Sequence, residues 1–404
     1  MTLPATSAHA TLGLTVLLGL LLGLTPLGTD SFLPAMPAIA HGFGAPAGAV
    51  QLAVTSFFLG VAAGQLAWGP LSDRYGRRAA LFAGLAVFLA TSLGCALAGS
   101  VPQVVALRFG QGLGLSCGPV VARGVTRDLY ERERAASLLA RMMVVFGVVP
   151  IAAPLIGAAM LALSGWRAIF WLHAAIAVSL GAWAALRLAE TAPHPRAAIR
   201  PARLAASYAT LLADRRFVAP VAAMLCAQAG IYAFVANSAF VLVGSMGLSA
   251  SQYSAAFAVV MLGQIAGAQA SSRLVLGRGI TRLMRVGVTL ACAFGLLLAA
   301  LAWAGAPHWS AVVLPMVGYM FATSFVIPTA TAAALSPFPA IAGTASSLIG
   351  AAQFLLGAIV SAGLAAAFDG SARPLAGVAA LGGACAALIY FALVRPLREA
   401  HGPG

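Results

Sequence analysis

Lysine is absent from this chain, and asparagine occurs once, at Asn237. Only nine of the 404 residues are acidic, and charged residues of both signs make up 8% of the sequence. Soluble domains carry about 25%, so this composition cannot furnish an ordinary water-facing surface. The missing lysine removes the phosphate-gripping Gly-x-x-x-x-Gly-Lys-Ser/Thr loop, and with it ATP-driven pumping by this chain alone. Neither a nucleophile elbow nor a His-Glu-x-x-His pair occurs, so no catalytic constellation points to an enzyme. Cys95, Cys117, Cys226, Cys292 and Cys385 are scattered singly through apolar segments, with no Cys-x-x-Cys or His/Cys cluster. They read as small packing residues, and no metal or organic cofactor is expected.

What fills the chain is hydrocarbon. Hydrophobic residues are 61% of it, in continuous runs of roughly 20 residues, the length that crosses a bilayer as a helix. Barrel strands would alternate polar and apolar positions, and lipid offers an open backbone no water to bond. The runs lie at about 11–33, 48–70, 79–99, 102–124, 138–163, 166–188, 217–243, 252–272, 284–304, 309–332, 341–366 and 374–394. They predict an all-α membrane protein with twelve transmembrane helices. The first run follows no basic stretch and outlasts a signal peptide, so it reads as a retained span.

The longest polar interval, 189–216, holds Pro193, Pro195 and Pro201 with several arginines, and reads as a linker between a six-helix segment 1–188 and another at 217–404. The two segments echo one another. Gly64-Gln65 and Gly263-Gln264 occupy equivalent places, and at the same offset Asp73-Arg74 meets Ser272-Arg273. Duplicated halves suit a central site that opens to either face in turn.

All 23 basic residues are arginine. With the N-terminus inside, 20 of the 23 fall on one side: Arg74, Arg77 and Arg78 between spans 2 and 3; Arg123, Arg127, Arg132, Arg134 and Arg141 around the 4–5 loop; Arg187, Arg196, Arg200, Arg203, Arg215 and Arg216 around the linker; Arg273, Arg278, Arg282 and Arg285 around the 8–9 loop; Arg395 and Arg398 in the tail. The exceptions are Arg108, Arg167 and Arg373. This asymmetry predicts cytoplasmic termini and accounts for the net charge of +14 without nucleic acid.

Asp30 is the one acid placed within a span, in Gly28-Thr29-Asp30-Ser31-Phe32-Leu33-Pro34-Ala35-Met36-Pro37. A charge at mid-membrane costs about 2.5–3.5 kcal/mol on insertion scales, and such acids mark proton or substrate pathways. If the helix ends earlier, Asp30 is instead a cap or faces the outer interface. Arg108, near the start of span 4, can share depth with Asp30 and is its expected partner; the alternative is an arginine snorkelling to the headgroups. Gln111, a turn later, suits a bond to substrate or Asp30, or plain packing. Span 7 supplies Gln228, Tyr232, Phe234 and Asn237 as a cavity wall, although Tyr232 and Phe234 cannot share a face. Phe57, Phe58, Met143, Gln264, Met320, Phe325, Gln353 and Phe354 are weaker candidates. His173 could relay protons, but beside Trp166 and Trp171 an interfacial anchor is favoured.

Two further stretches suggest movement. In span 5, Gly147, Pro150, Pro154 and Gly157 weaken the helix ladder and admit close packing, as a pliable gate or a plain kink. The stretch Gly69-Pro70-Leu71-Ser72-Asp73-Arg74-Tyr75-Gly76-Arg77-Arg78 reads as a tight charged turn between spans 2 and 3. Its Asp73 suits an ion pair, or a contact with a helix N-terminus, made in one conformation and broken in another.

That pattern, completed by Leu81, resembles the signature loop of the major facilitator superfamily, and the likeness runs from about Leu12 to Pro396. Thr29–Pro37, Arg108-Phe109-Gly110-Gln111-Gly112, Arg127-Asp128 and Trp166–Phe170 resemble more narrowly the Bcr/CflA drug-resistance transporters. Gly147–Gly157 is similar to the span 5 motif of antiporters, with Ala158 where many show a second glycine. The resemblance implies two six-helix bundles around a drug cavity in a monomer of the bacterial inner membrane. It implies proton-driven export of amphipathic antibiotics of the chloramphenicol or bicyclomycin kind, with the proton gradient in place of any cofactor. It implies proton-coupling and substrate roles for Asp30 and Arg108, and stabilisation of the outward-open state by Asp73, Arg74 and Arg77. A small-metabolite exporter or importer on the same scaffold is the alternative.

Overall fold

The computed structural model of the protein describes residues 12–130, 132–192, 201–306 and 308–397. Pro193, Pro195, Arg196, Arg200 and Arg398, read above as linker and tail, lie outside the described residues, as do the side chains of Arg132, Pro201 and Arg203. Among the described residues twelve helices are long and apolar enough to span a membrane: Leu12–Phe43, Ala47–Tyr75, Arg77–Ala96, Val101–Leu129, Ser137–Ser164, Arg167–Arg187, Arg215–Ser245, Ala250–Arg278, Ile280–Trp303, Ser310–Leu335, Pro339–Ala367 and Arg373–Leu397. They are numbered here as spans 1 to 12. Among the described residues there are no strands.

Span 1 departs from the expected run. It extends to Phe43 but is not one helix: the regular turn ends at Asp30, a 3₁₀ turn covers Leu33–Ala35, and a second helix covers Met36–Phe43. Proline explains the break. Pro34 has no N–H for the Asp30 carbonyl four residues back, and Pro37 withholds the next-but-two donor. Asp30 therefore sits at a discontinuity inside a span, where an interrupted helix is tolerated only if protein or water meets its backbone.

The charged turn between spans 2 and 3 also differs from expectation. Span 2 continues through Pro70 to Tyr75, because a proline there costs only one hydrogen bond of an otherwise closed ladder. The turn shrinks to Gly76, at φ 100° and ψ 157°. The second half has its own one-residue turn at Gly279, φ 72°, one helical turn farther along in register.

The linker is not wholly irregular, since residues Pro201–Ala213 form a helix with Leu211 buried. Asp214 then caps span 7 by accepting from the Arg216 N–H at 2.8 Å. Span 8 opens on a capping box, Ser249 with Gln252.

The halves meet along spans 2 and 11 and along spans 5 and 8. Toward the end away from the arginine-rich loops, Thr55 donates to Ser361 at 2.9 Å and Ser254 donates to the Pro154 carbonyl at 2.9 Å. Deeper in the seam, Phe58 of span 2 packs against Tyr232 and Phe354 of the other half at 5.3 and 5.9 Å between ring centroids.

Candidate functional site

Asp30 is buried, and among the described residues its carboxyl has no hydrogen bond or ion pair. Asp30 lies within electrostatic reach of Tyr253 on span 8, in the other half. The Tyr253 hydroxyl shares a 3.1 Å hydrogen bond with Ser238 of span 7. Beside Ser238, the Asn237 amide is fully buried with neither its nitrogen nor its oxygen bonded.

Arg108 is fully buried but is not the partner of Asp30, as the sequence led us to expect. Its Nη1 donates to the Gly28 carbonyl at 2.9 Å and to Gln111 Oε1 at 2.9 Å. Its guanidinium lies over the Phe32 and Phe57 rings at 4.5 and 4.2 Å. The break after Asp30 carries Phe32 inward onto Arg108, so the arginine is held by ring faces and a carbonyl in place of a carboxylate. Its Nε and Nη2 have no hydrogen-bond acceptor. Gln111 passes the network on to Ser92 at 2.8 Å.

His173 is likewise corrected. It is not an interfacial anchor: it is fully buried, packed on Phe88 and Phe170, and shares a 2.8 Å hydrogen bond with Ser31. Ser31 also donates to the Leu27 carbonyl at 2.6 Å. Span 6 thus grips the break in span 1 one residue from Asp30. Span 5 grips it from another side, for a Cβ on Gly157 would collide with the Ser31 carbonyl. Pro150 and Pro154 lie inside an unbroken helix, and the Pro154 carbonyl accepts from the Ser254 hydroxyl of span 8. Nothing lies within 4 Å of where a Gly147 Cβ would be, so no packing neighbour demands that glycine.

The span 7 candidates separate. Tyr232 joins the aromatic seam with Phe58 and Phe354, and Gln228, one turn earlier, is buried with its Oε1 unbonded. Phe234 is stacked on Phe257 at 5.4 Å inside the second half. Of the weaker candidates, Met320 and Phe325 are core residues, Gln353 reaches the Met224 sulfur at 3.7 Å, Gln264 is half-buried and Met143 is 54% exposed.

The Gly76 turn forms a separate polar knot. Arg77, only 3% exposed, binds Asp73 at 2.6 Å, Asp128 at 2.8 Å and the Ser72 hydroxyl at 2.7 Å. Arg127 stands 3.8 Å from Asp73. Arg78 donates to the Leu188 carbonyl, and Arg74 lies over its neighbour Tyr75. Two of the three arginines in the turn therefore leave Asp73 alone. Glu190, which sequence reasoning passed over, accepts from the Arg77 and Arg78 N–H groups at 2.8 and 3.2 Å. It is an anionic cap on the N-terminus of span 3. The positive φ of Gly76 calls for glycine, and a Cβ there would push the Glu190 carboxylate off the N–H groups it caps. Gly69 has no such neighbour. Tyr253, Ser238 and Ser254 were also missed; serine and tyrosine within an apolar run carried the only signal.

Among the described residues no group of His, Cys, Asp and Glu could hold a metal ion. The model of the Major Facilitator Superfamily matches residues 18–362. YdgK, an uncharacterized MFS-type transporter of Bacillus subtilis, is 32% identical over 394 residues, 95% of this chain and 96% of that one. The bicyclomycin resistance protein homolog of Haemophilus influenzae is 29% identical over 362 residues, 89% and 90% of the two chains. Multidrug resistance protein D of Escherichia coli is 31% identical over 348 residues, 84% and 85% of the two chains. The fold resembles that of a D-xylose-proton symporter with a TM-score of 0.74 over 94% of this chain and 96% of that one, at 19% identity, a likeness of fold alone.

Proposed function

Because the chain belongs to the Major Facilitator Superfamily, and is thus a non-enzymatic multi-pass membrane transporter, we propose that it exports amphipathic antibiotics of the chloramphenicol or bicyclomycin kind in exchange for protons. The names of its relatives support the cargo. The observation that carries the mechanism is Asp30, a buried carboxyl without a partner among the described residues, at a helix break packed against the opposite half. An acid in such surroundings is stable with a proton and costly without one. Proton gain and loss at Asp30 then favour different arrangements of the halves.

In this reading the units 1–188 and 217–404, joined by 189–216, rock about a central chamber. Substrate meets Asp30, Gln228, Tyr232 and Asn237, whose unbonded amide atoms suit a polar group on an otherwise apolar molecule. Arg108 and Gln111 act from behind the break, where the spare donors of Arg108 can receive an anion or acceptor. Gly147, Pro150, Pro154 and Gly157 form the pliable helix. Gly69, Asp73, Arg74, Gly76, Arg77 and Arg78 form the switch at the arginine-rich end, which we place in the cytoplasm with both termini. The protein works as a monomer in the bacterial inner membrane, driven by the proton gradient and needing no cofactor.

The test is an antibiotic panel in a host without its main efflux pumps, comparing wild type with Asp30→Asn at matched membrane levels. Resistance that appears with wild type and vanishes with the variant is expected. Resistance that survives the substitution removes Asp30 from the mechanism. No resistance to any compound overturns drug export.

A further inference from the structure

The proposed mechanism leaves Arg123 unused. It lies six residues from the end of span 4, about 9 Å along the helix. Its side chain is exposed. The opposite half closes in beside it. Arg123 Nη2 stands 3.4 Å from Gln65 Oε1, and a Cβ on Gly350 of span 11 would lie 3.3 Å from that same oxygen. One turn on, Arg127 Nη1 comes within 3.8 Å of the Cβ position of Gly343, also on span 11. Span 4 therefore presents two guanidinium groups, four residues apart, to the seam between the halves.

The two are not equivalent. Arg127 has Asp73 at 3.8 Å, whereas among the described residues Arg123 has no acidic partner, and its Gln65 contact is a long hydrogen bond. Asp30 is the one acid placed inside the spans away from their ends. Arg108 and Arg123 both lie inside span 4, so Asp30 cannot balance the two even when ionised, and once it carries a proton neither arginine is compensated. An unbalanced cation in a confined, partly desolvated space attracts anions and repels cations far more strongly than one in open water.

Resting on the export reading above, we infer that Arg123 sets the charge selectivity of the transport chamber: it holds the carboxylate of amphipathic substrates that bear one and excludes permanent cations. The guanidinium fork matches a carboxylate geometrically, which a dispersed field would not require.

The test uses the full chain in lipid nanodiscs and three coumarin probes that differ only in their terminal group, a carboxylate, a primary amide or a trimethylammonium. Equilibrium binding is read by fluorescence anisotropy, so the outcome does not depend on export. Wild type is expected to bind the carboxylate probe more tightly than the amide probe and the trimethylammonium probe least. Arg123→Gln should weaken the carboxylate probe about tenfold, the worth of one charge-assisted hydrogen bond, while leaving the amide probe within about twofold. Arg123→Glu should reverse the order of the charged probes. Arg123→Lys, which keeps the charge where folding demands it, should keep the preference over the cation and lose part of the carboxylate affinity. The inference is overturned if wild type binds none of the probes or ranks them equally, or if Arg123→Gln weakens carboxylate and amide probes by the same factor. Failure of export itself is read separately, from the antibiotic panel: a chamber that discriminates charge in a protein that confers no resistance would keep this inference and discard the drug cargo.

Discussion

Ser31 and His173, 142 residues apart, share a 2.8 Å hydrogen bond that ties the break in span 1 to span 6. The bond is buried and lies one residue from the carboxyl proposed to carry the proton. His173→Ala removes it and opens a hole between Phe88 and Phe170. The Ser31 hydroxyl keeps the Leu27 carbonyl, so the cost is one hydrogen bond, about 0.5–1.5 kcal/mol, plus the cavity, and a fall in thermal unfolding temperature and a loss of efflux are expected together. His173→Gln, which can still reach the hydroxyl, should recover part of both. Unchanged efflux in a folded His173→Ala protein would show that Asp30 does not need this support.

Arg77 offers a comparison between its two acids. Asp128 is 8% exposed and Asp73 50%. Breaking a buried pair costs about 3–5 kcal/mol, and an exposed one about 0–1 kcal/mol. Asp128→Ala is therefore expected to destabilise the purified protein more than Asp73→Ala, by chemical or thermal unfolding. If Asp73 proves important for transport in spite of its small effect on stability, it acts in the switch and not in the scaffold.

Gly76→Ala should be worse than its size suggests. A side chain at φ 100°, ψ 157° costs about 1–3 kcal/mol in backbone strain alone, and the new methyl meets Glu190 as well. Gly69→Ala, which meets nothing, is expected to be silent in the same thermal assay.

Glu190 gives the capped turn a pH dependence. Burial pushes its pKa up, but the N–H donors of Ala192, Arg77, Arg78 and Thr191 outweigh that and hold it below the ordinary range. A depressed folded pKa adds stability above the unfolded value, about 4.3 for Glu, and that stability is lost as pH falls through the folded value. Glu190→Gln should thus be less heat-stable than wild type near neutral pH, with the difference shrinking to nothing below the folded pKa. A difference that persists in acid would assign the effect to packing.

The spans were legible because lipid imposes one rule, an apolar run of fixed length, and the sequence obeys it at all twelve places. Their ends were less so. Span 2 runs past Gly69 and Pro70 because a membrane helix tolerates residues that would end a soluble one. Asp30 and Arg108 stood out as charges in hydrocarbon, but which way each points depends on the break at Asp30, which local pattern hints at through Pro34 and Pro37 and cannot orient. His173 was misread because its neighbouring tryptophans suggest a surface, whereas its partner lies at a separation of 142 residues. Glu190 stayed hidden for the same reason: the N–H groups it caps, those of Arg77 and Arg78, lie more than 100 residues earlier in the chain.

The Glu190 cap also bears on how the protein is made. The cap joins Arg77 to a residue 113 positions later, and its companion bonds from Thr191 to Asp128 and from Arg78 to Leu188 close within the same stretch. All of these partners have been synthesised by the time the ribosome has passed Ala192 and before span 7 begins at Arg215. The first six helices therefore carry their own fastening and can be secured during translation, before the six they will later move against have been made.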